Sequence, residues 1–362
     1  MNRKKAPCNL DIDMTQPLKA LDLFSGIGGF SLALHDIATT VAYCDIDPTC
    51  RAVLTKHMIA RPTPTLHKAP IFQDVKEITQ ESLAHHNITP NMITAGFPCT
   101  DISAANPKGL GIKGERSGLF REILRILDEV PSIHTLFMEN SPRILHKGFR
   151  SIKASLARRG FRVTYCIASA RDVGALHQRR RWYCLCTKPS AITQLKPASS
   201  NAFVPVPASL VPGPPPSTPR VLKITSPQQR KAITTRCQML GNAVVPQCAR
   251  HAWNTLVTQQ PYAPLLIHSP LNITLDDGDH QIIKPYWATP TYSVWYQYRS
   301  VTPRGSGILA NQLYYEQHTH LDHHIHDKKQ TSHEYISNPV FVEFLMGYPK
   351  DWTKSAPASV RV

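Results

Sequence analysis

Apolar residues fall in short runs separated by stretches with helical spacing. The runs Leu18–Phe24, Val41–Ile46, Met92–Phe97 and His134–Glu139 read as strands. Between the last two, Gly118–Val130 places Leu119, Ile123, Leu124, Ile126 and Leu127 on one side, as an amphipathic helix does. Strands alternating with such helices predict an α/β fold with a doubly wound, mostly parallel sheet. Phe161–Ala168 and Arg181–Thr187 read as a late strand pair, for which an antiparallel arrangement is open. Cys184 and Cys186 alternate within the second of these, which puts both thiols on one face.

The pattern changes after Lys188. Residues 189–220 are rich in Pro, Ser and Ala, including Pro212-Gly213-Pro214-Pro215-Pro216, and read as a linker or irregular loop. An ordered block follows at 221–256. The rest is polar and rich in His and Tyr, with one apolar segment at Val340–Tyr348. The expected division is therefore a flexible N-terminus at 1–17 and a core at 18–187. A proline-rich region at 188–236, a segment at 237–256 that returns to the core, and a C-terminal region at 257–362 follow.

The 362 residues suffice for one large α/β domain and a smaller one, and 42% hydrophobic content supports a sizeable core. A net charge of +16 calls for an acidic partner, and a polyanion such as nucleic acid is the simplest. The bland reading is a generically basic surface. Nine cysteines without a CxxC pair give no zinc signal and are expected to be reduced, as in an intracellular protein. No apolar stretch suits a signal peptide or a membrane span, so neither secretion nor membrane insertion is expected. Glu316–His326 contains five histidines, and a solvated loop is favoured there over a metal site.

Four motifs carry chemistry. In Leu21–Phe30, a strand runs into Ser25-Gly26-Ile27-Gly28-Gly29, where the backbone can turn tightly and approach a ligand. Asp45 and Asp47 follow the next strand, where an acid can accept from ribose hydroxyls, and Asp74 ends a third short strand where it could meet an adenine amino group. The alternative is a tight turn with no ligand. Gly96-Phe97-Pro98-Cys99 places a thiol at the carboxyl end of a strand, where open α/β sheets bind ligands. Most single cysteines are merely small buried hydrophobes. Phe137-Met138-Glu139-Asn140 sets a carboxylate at the same sheet edge, unless it is a cap or surface acid. In His177-Gln178-Arg179-Arg180-Arg181, two arginines spaced i, i+2 share a face of an extended segment and could grip an oxygen and a phosphate; a solvated basic run is the alternative.

Taken in order, these pieces resemble the cytosine-C5 DNA methyltransferase family over most of the chain. Gly114–Phe120 resembles the segment after the family's Pro-Cys motif, and Gln238–Pro246, with Gly241-Asn242, its last motif. The chain departs from the family pattern at Thr100-Asp101, Ser141 and His177. The resemblance implies a Rossmann-like methyltransferase core with a smaller, irregular target-recognition domain. It implies S-adenosylmethionine as methyl donor, held by Phe24, Ser25, Gly26, Gly28, Gly29, Asp45, Ile46, Asp74, Asn242 and Ala243, and no metal. Cys99 is the expected nucleophile, with Glu139, Arg179 and Arg181 on the cytosine ring, and Pro98, Ser103, Arg116 and Arg180 on the nucleic acid. The expected partner is double-stranded DNA with a flipped-out cytosine, met by a monomer in a restriction-modification setting. The expected compartment is the cytoplasm or nucleoid in bacteria or phage, or the nucleus in a eukaryote. Two alternatives stand: a tRNA cytosine-5 methyltransferase, and an inactive DNA-binding paralogue.

The family's reading domain usually lies before the Gly-Asn motif. Here the gap at roughly 188–236 is too short for a full domain. Asn338–Pro349 resembles the family segment that normally precedes Gly-Asn, and Tyr286–Thr291 fits the same module. A displaced order is therefore expected, in which 257–350 joins 188–236 in the recognition region. Tyr296, Tyr298, Arg299 and Arg304 would then face the DNA.

Overall fold

The computed structural model describes residues 17–60, 65–98, 119–175, 177–198, 221–259 and 335–354. The sheet strands are β1 (Leu18–Leu23), β2 (Ala38–Cys44), β3 (Ile71–Phe72), β4 (Met92–Ala95), β5 (Thr135–Asn140), β6 (Arg162–Ala168) and β7 (Arg181–Thr187). They form one seven-stranded sheet in the order β3-β2-β1-β4-β5-β7-β6. The pairings among β1 to β5 are parallel, and β7 runs antiparallel to both β5 and β6. The order reverses between β1 and β4, the place where doubly wound sheets bind ligands.

Helices lie on both faces: α1 (Gly29–Ala33), α2 (Pro48–Met58), α3 (Gln80–His85), α4 (Phe120–Glu129), α5 (Ile144–Lys147), α6 (Phe149–Ala157), α7 (Pro227–Asn242), α8 (Pro246–Thr258) and α9 (Pro339–Leu345). Both faces being covered, the strands are largely apolar and their alternation sorts residues between two cores. Leu136 and Met138 of β5 and Trp182, Cys184 and Cys186 of β7 join the core beneath α4 and α6. Phe137, Tyr183 and Leu185 join the core beneath α1, α2, α7 and α8. Cys184 and Cys186 thus share a face as expected. Both are buried free thiols with sulfurs 3.5 Å apart, well beyond a disulfide.

Two short strands, β8 (Val221–Lys223) and β9 (Tyr335–Ser337), pair antiparallel outside the main sheet. At the other end of this region, the Ala198 amide donates to Asn254 Oδ1 of α8 at 2.6 Å.

The sequence reading groups 335–350 with the recognition region, but the fold packs 335–354 onto the core. Val342, Met346, Tyr348 and Trp352 lie in the same apolar cluster as Ile27, Phe30 and Leu54. Glu343 is fully buried and meets Arg236 of α7 at 2.8 Å, with the Thr353 hydroxyl donating to it as well. The local pattern showed an apolar helix without showing what it would cover.

Candidate active site

The turn after β1 is built from unusual backbone. Phe24 (φ 53°), Gly26 (φ 54°) and Gly28 (φ 85°) all adopt left-handed conformations. For Phe24, a side-chain-bearing residue, that is a strained state which surrounding structure has to hold. The Ser25 hydroxyl donates to the Asp22 carbonyl at 2.5 Å, and the Ser25 amide to the Cys44 carbonyl at 2.9 Å. At Gly29 the limit is space. A Cβ there would lie 2.6 Å from the Tyr348 hydroxyl and 2.8 Å from the Val244 carbonyl oxygen.

Beneath the turn lies a buried acid that the sequence reading did not single out. Asp22 is fully buried and accepts from the Thr94 hydroxyl at 2.6 Å and the Ser31 hydroxyl at 3.0 Å. Ser31 also meets the Thr40 hydroxyl at 2.8 Å, so one carboxyl group links β1, β4, α1 and β2. Burial pushes its pKa up to about 7 against the pull of both hydroxyls. The signal was present as a charged residue inside an apolar strand run.

Asp45 closes the opposite side of the turn. Its Oδ2 accepts from the Gly26 amide at 2.7 Å and its Oδ1 from the Asp47 amide at 2.8 Å. Burial raises its pKa, opposed by these two amides. Arg51 donates to the carbonyls of Asp45 and Ile46, which fixes the backbone just past β2. The Ile46 side chain is 74% exposed, an apolar platform beside a carboxylate. Asp74 stands two residues past β3 on the neighbouring strand end, where its carboxylate accepts from the Lys76 amide at 3.0 Å. An apolar surface, acids at adjacent strand ends and a glycine turn together suit a nucleoside.

The second half of the site lies at the ends of β4, β5 and β7. Asn140 Nδ2 donates to the Phe97 carbonyl at 3.2 Å and so anchors the backbone leading to Pro98. Glu139 is buried, with Oε1 2.9 Å from Arg181 Nε. Burial raises the Glu139 pKa, and Arg181 and then Arg179 pull against it. The two arginines, at the start of β7 and two residues before it, do different work. Arg181 is half-buried and pairs with Glu139. Arg179 is buried, and its guanidinium donates to the Gly241 carbonyl at 3.1 Å and the Ala243 carbonyl at 2.7 Å. It therefore ties the stretch before β7 to the Gly-Asn segment. Arg180 between them is exposed.

The two halves meet at Gly96. A Cβ built there would lie 3.6 Å from Val244 Cγ2 and 3.9 Å from both Glu139 Oε2 and Phe30 Cε2. The strand end before Pro98, the carboxylate, the helix after the glycine turn and the Gly-Asn segment thus converge on one point. Asn242 is exposed at the end of α7, and Ala243 is buried. Cys99, Ser103 and Arg116 lie outside the described residues, as do the histidine-rich stretch, Tyr286–Thr291, Tyr296, Tyr298, Arg299 and Arg304.

Residues 18–226 match the family model for C-5 cytosine-specific DNA methylases. The chain is 33% identical over 169 residues to Type II methyltransferase M.CviJI of Paramecium bursaria Chlorella virus IL3A, covering 46% of this chain and 42% of that protein. It is 31% identical over 172 residues to M2.BsuMI of Bacillus subtilis, covering 45% and 40% respectively. The matched region thus spans less than half the length of these relatives. Among solved structures, a mutant of Spodoptera frugiperda DNMT2 matches with 23% identity and a TM-score of 0.38, covering 47% of this chain and 50% of that one. With the family model covering more than half of the 362 residues, the chain belongs to the C-5 cytosine-specific DNA methylase family.

Proposed function

We propose that the protein transfers a methyl group from S-adenosylmethionine to carbon 5 of cytosine in duplex DNA, through a covalent adduct on Cys99. The observation that carries this reading is the convergence at Gly96. It puts the Glu139–Arg181 pair, the approach to Pro98-Cys99 and the nucleoside-like half of the site within one side chain of each other. The donor site fits: Ile46 offers an exposed apolar platform, and Asp45 is a fixed carboxylate beside the glycine turn.

Carbon 5 of cytosine is a poor nucleophile. The Cys99 thiolate adds to carbon 6, forming a C–S bond and giving the ring enamine character at carbon 5. Carbon 5 then takes the methyl group as the donor's S–CH3 bond breaks, and the sulfonium leaves as a neutral thioether. Loss of the carbon-5 proton to a base and departure of the thiolate restore the ring. Glu139, held by Arg181, binds ring nitrogen 3 and the exocyclic amino group as charge develops. Burial raises its pKa and Arg181 opposes that shift. Arg181 reaches the ring oxygen at position 2. Arg179, spent on two carbonyls of the Gly-Asn segment, positions that segment instead.

Cytosine reaches such a pocket only after flipping from the duplex, at a cost of a few kcal/mol. Phosphate contacts from a chain of charge +16 offset that cost and make binding salt-dependent. In this reading residues 18–187 form the catalytic core, while 199–220 and 260–334 supply target recognition.

Bisulfite sequencing of DNA and RNA from cells expressing the chain tests the substrate. Methylated cytosine in DNA at a fixed sequence context is expected, and a signal confined to RNA refutes the DNA assignment. Duplex DNA containing 5-fluorocytosine is expected to trap an adduct on Cys99 by mass spectrometry, and Cys99→Ser to abolish both adduct and turnover. An active wild-type preparation that forms no adduct removes the covalent step.

A further inference from the structure

The segment after α9 touches the glycine turn and α2, although it is far from both in sequence. The Trp352 indole N–H donates to the Ile27 carbonyl, 325 residues earlier, at 2.9 Å in a buried setting. That carbonyl lies outside the α1 ladder, because the first helical bond runs from the Leu32 amide to Gly28. Trp352 also stacks on His57 of α2 at 3.6 Å between ring centroids, and His57 Nε2 meets the Trp352 carbonyl at 2.9 Å. Lys56 donates to the carbonyls of Asp351 and Lys354 at 2.8 and 2.9 Å. These contacts fix the last turn of α2, the helix that begins directly after Asp47, while the indole braces the glycine side.

The same part of the chain also reaches the Gly-Asn segment and the residue ahead of the arginines. The Tyr348 hydroxyl donates to the Val244 carbonyl at 2.7 Å, next to Gly29. Gln247 donates to the Gly347 carbonyl at 3.0 Å. His177, ahead of the arginines, meets the Leu345 carbonyl at 2.7 Å.

We propose that residues 345–353 clasp the donor side of the site, with Trp352 as a positioning residue that holds the glycine turn against α2 and so sets affinity for the methyl donor. The inference rests on the reading that the glycine turn binds S-adenosylmethionine. Phe24, Gly26 and Gly28 are all left-handed there, so the turn's shape depends on anchors outside its own sequence. Among the described residues, the Trp352 bond is the anchor on the turn itself that comes from beyond residue 300. Among the described residues Trp352 meets neither Glu139 nor Arg181, and it acts through the Ile27 carbonyl and the His57 stack.

The test is Trp352→Phe in the full chain, which keeps a ring for the His57 stack and removes the donor. Leaving a buried carbonyl unpaired predicts that S-adenosylmethionine binds about tenfold more weakly by calorimetry. KM for the donor should rise by a similar factor, with kcat at saturating donor within about twofold and DNA affinity unchanged. A merely structural tryptophan lowers the unfolding midpoint and leaves donor affinity and KM alone, and that result overturns the proposal. If W352F does not yield folded protein, Tyr348→Phe, which deletes one hydroxyl beside Gly29, carries the same expectation, and wild-type donor affinity in Y348F overturns it. A wild-type chain that does not bind S-adenosylmethionine fails the proposed function itself, a result separate from either variant's.

Discussion

Asp22→Asn asks what a buried carboxyl group costs this fold. Asp22 is fully buried and holds two hydroxyl donors but no cation. Its pKa rises from the ordinary 3.8 to about 7. At about 1.4 kcal/mol per tenfold change in proton affinity, ionising it costs the folded state on the order of 4 kcal/mol. For an acid whose folded pKa is raised, the folded state binds the proton more tightly than the unfolded one. Stability therefore falls as pH climbs from about 4 to about 7 and levels off above that. Roughly 2–3 kcal/mol of the loss lies between about pH 5 and pH 8. Buried His57, His134 and His177, each lowered to about 4, act in the opposite sense by favouring the fold as pH rises through the histidine range. Their contribution is common to both chains and cancels in the comparison. Asparagine keeps the shape, accepts from one hydroxyl and donates to the other. Urea unfolding at about pH 5 and pH 8 should show the wild-type chain losing roughly 2–3 kcal/mol more than D22N. Equal pH dependence in the two chains would refute the assignment of that cost to Asp22.

Gly29→Ala places a methyl group within 2.6 Å of the Tyr348 hydroxyl and 2.8 Å of the Val244 carbonyl. A loss of about 1–3 kcal/mol in unfolding free energy is expected, and an unchanged urea midpoint counts against the packing described. Asp45→Ala frees the Gly26 and Asp47 amides, so donor affinity by calorimetry should drop about tenfold or more while the chain stays folded; wild-type affinity would remove Asp45 from the site. Glu139→Gln keeps the side chain's size but not its proton chemistry. It should lower kcat by about 10²–10³-fold with DNA affinity nearly unchanged, and an equal loss in both would reassign Glu139 to binding.

Much of the core was legible because its signals are local. β1 and β4 fall within apolar runs, β5 runs one residue past its own, and the glycine turn follows β1 directly. β2 begins at Ala38, before the apolar run, because Thr40 turns a hydroxyl inward to Ser31 and reads as polar in the sequence. Asp22 was overlooked for a related reason: its partners Thr94 and Ser31 come from other elements, so nothing beside it in sequence marks it as satisfied. The arginines could be aligned by spacing but not told apart. Their division follows from what faces them, Gly241 and Ala243 for Arg179 and Glu139 for Arg181. The C-terminal helix was visible as an apolar segment, yet a window of sequence cannot see that Trp352 will meet Ile27.

The β8–β9 ribbon and the Ala198–Asn254 bond have a consequence for exchange of parts. Ala198 is fastened to α8 at Asn254, and α8 itself ends at Thr258, so the chain departs twice from one neighbourhood. It returns twice to another, because Val221 lies across from Ser337 and Lys223 from Tyr335. Four chain ends thus stand on two shared piers, residues 198 and 258 on one and 221 and 335 on the other. A graft from a relative that keeps both piers leaves Glu139, Asp45 and the glycine turn where they are. A graft at either join has to match the one distance that the two piers set.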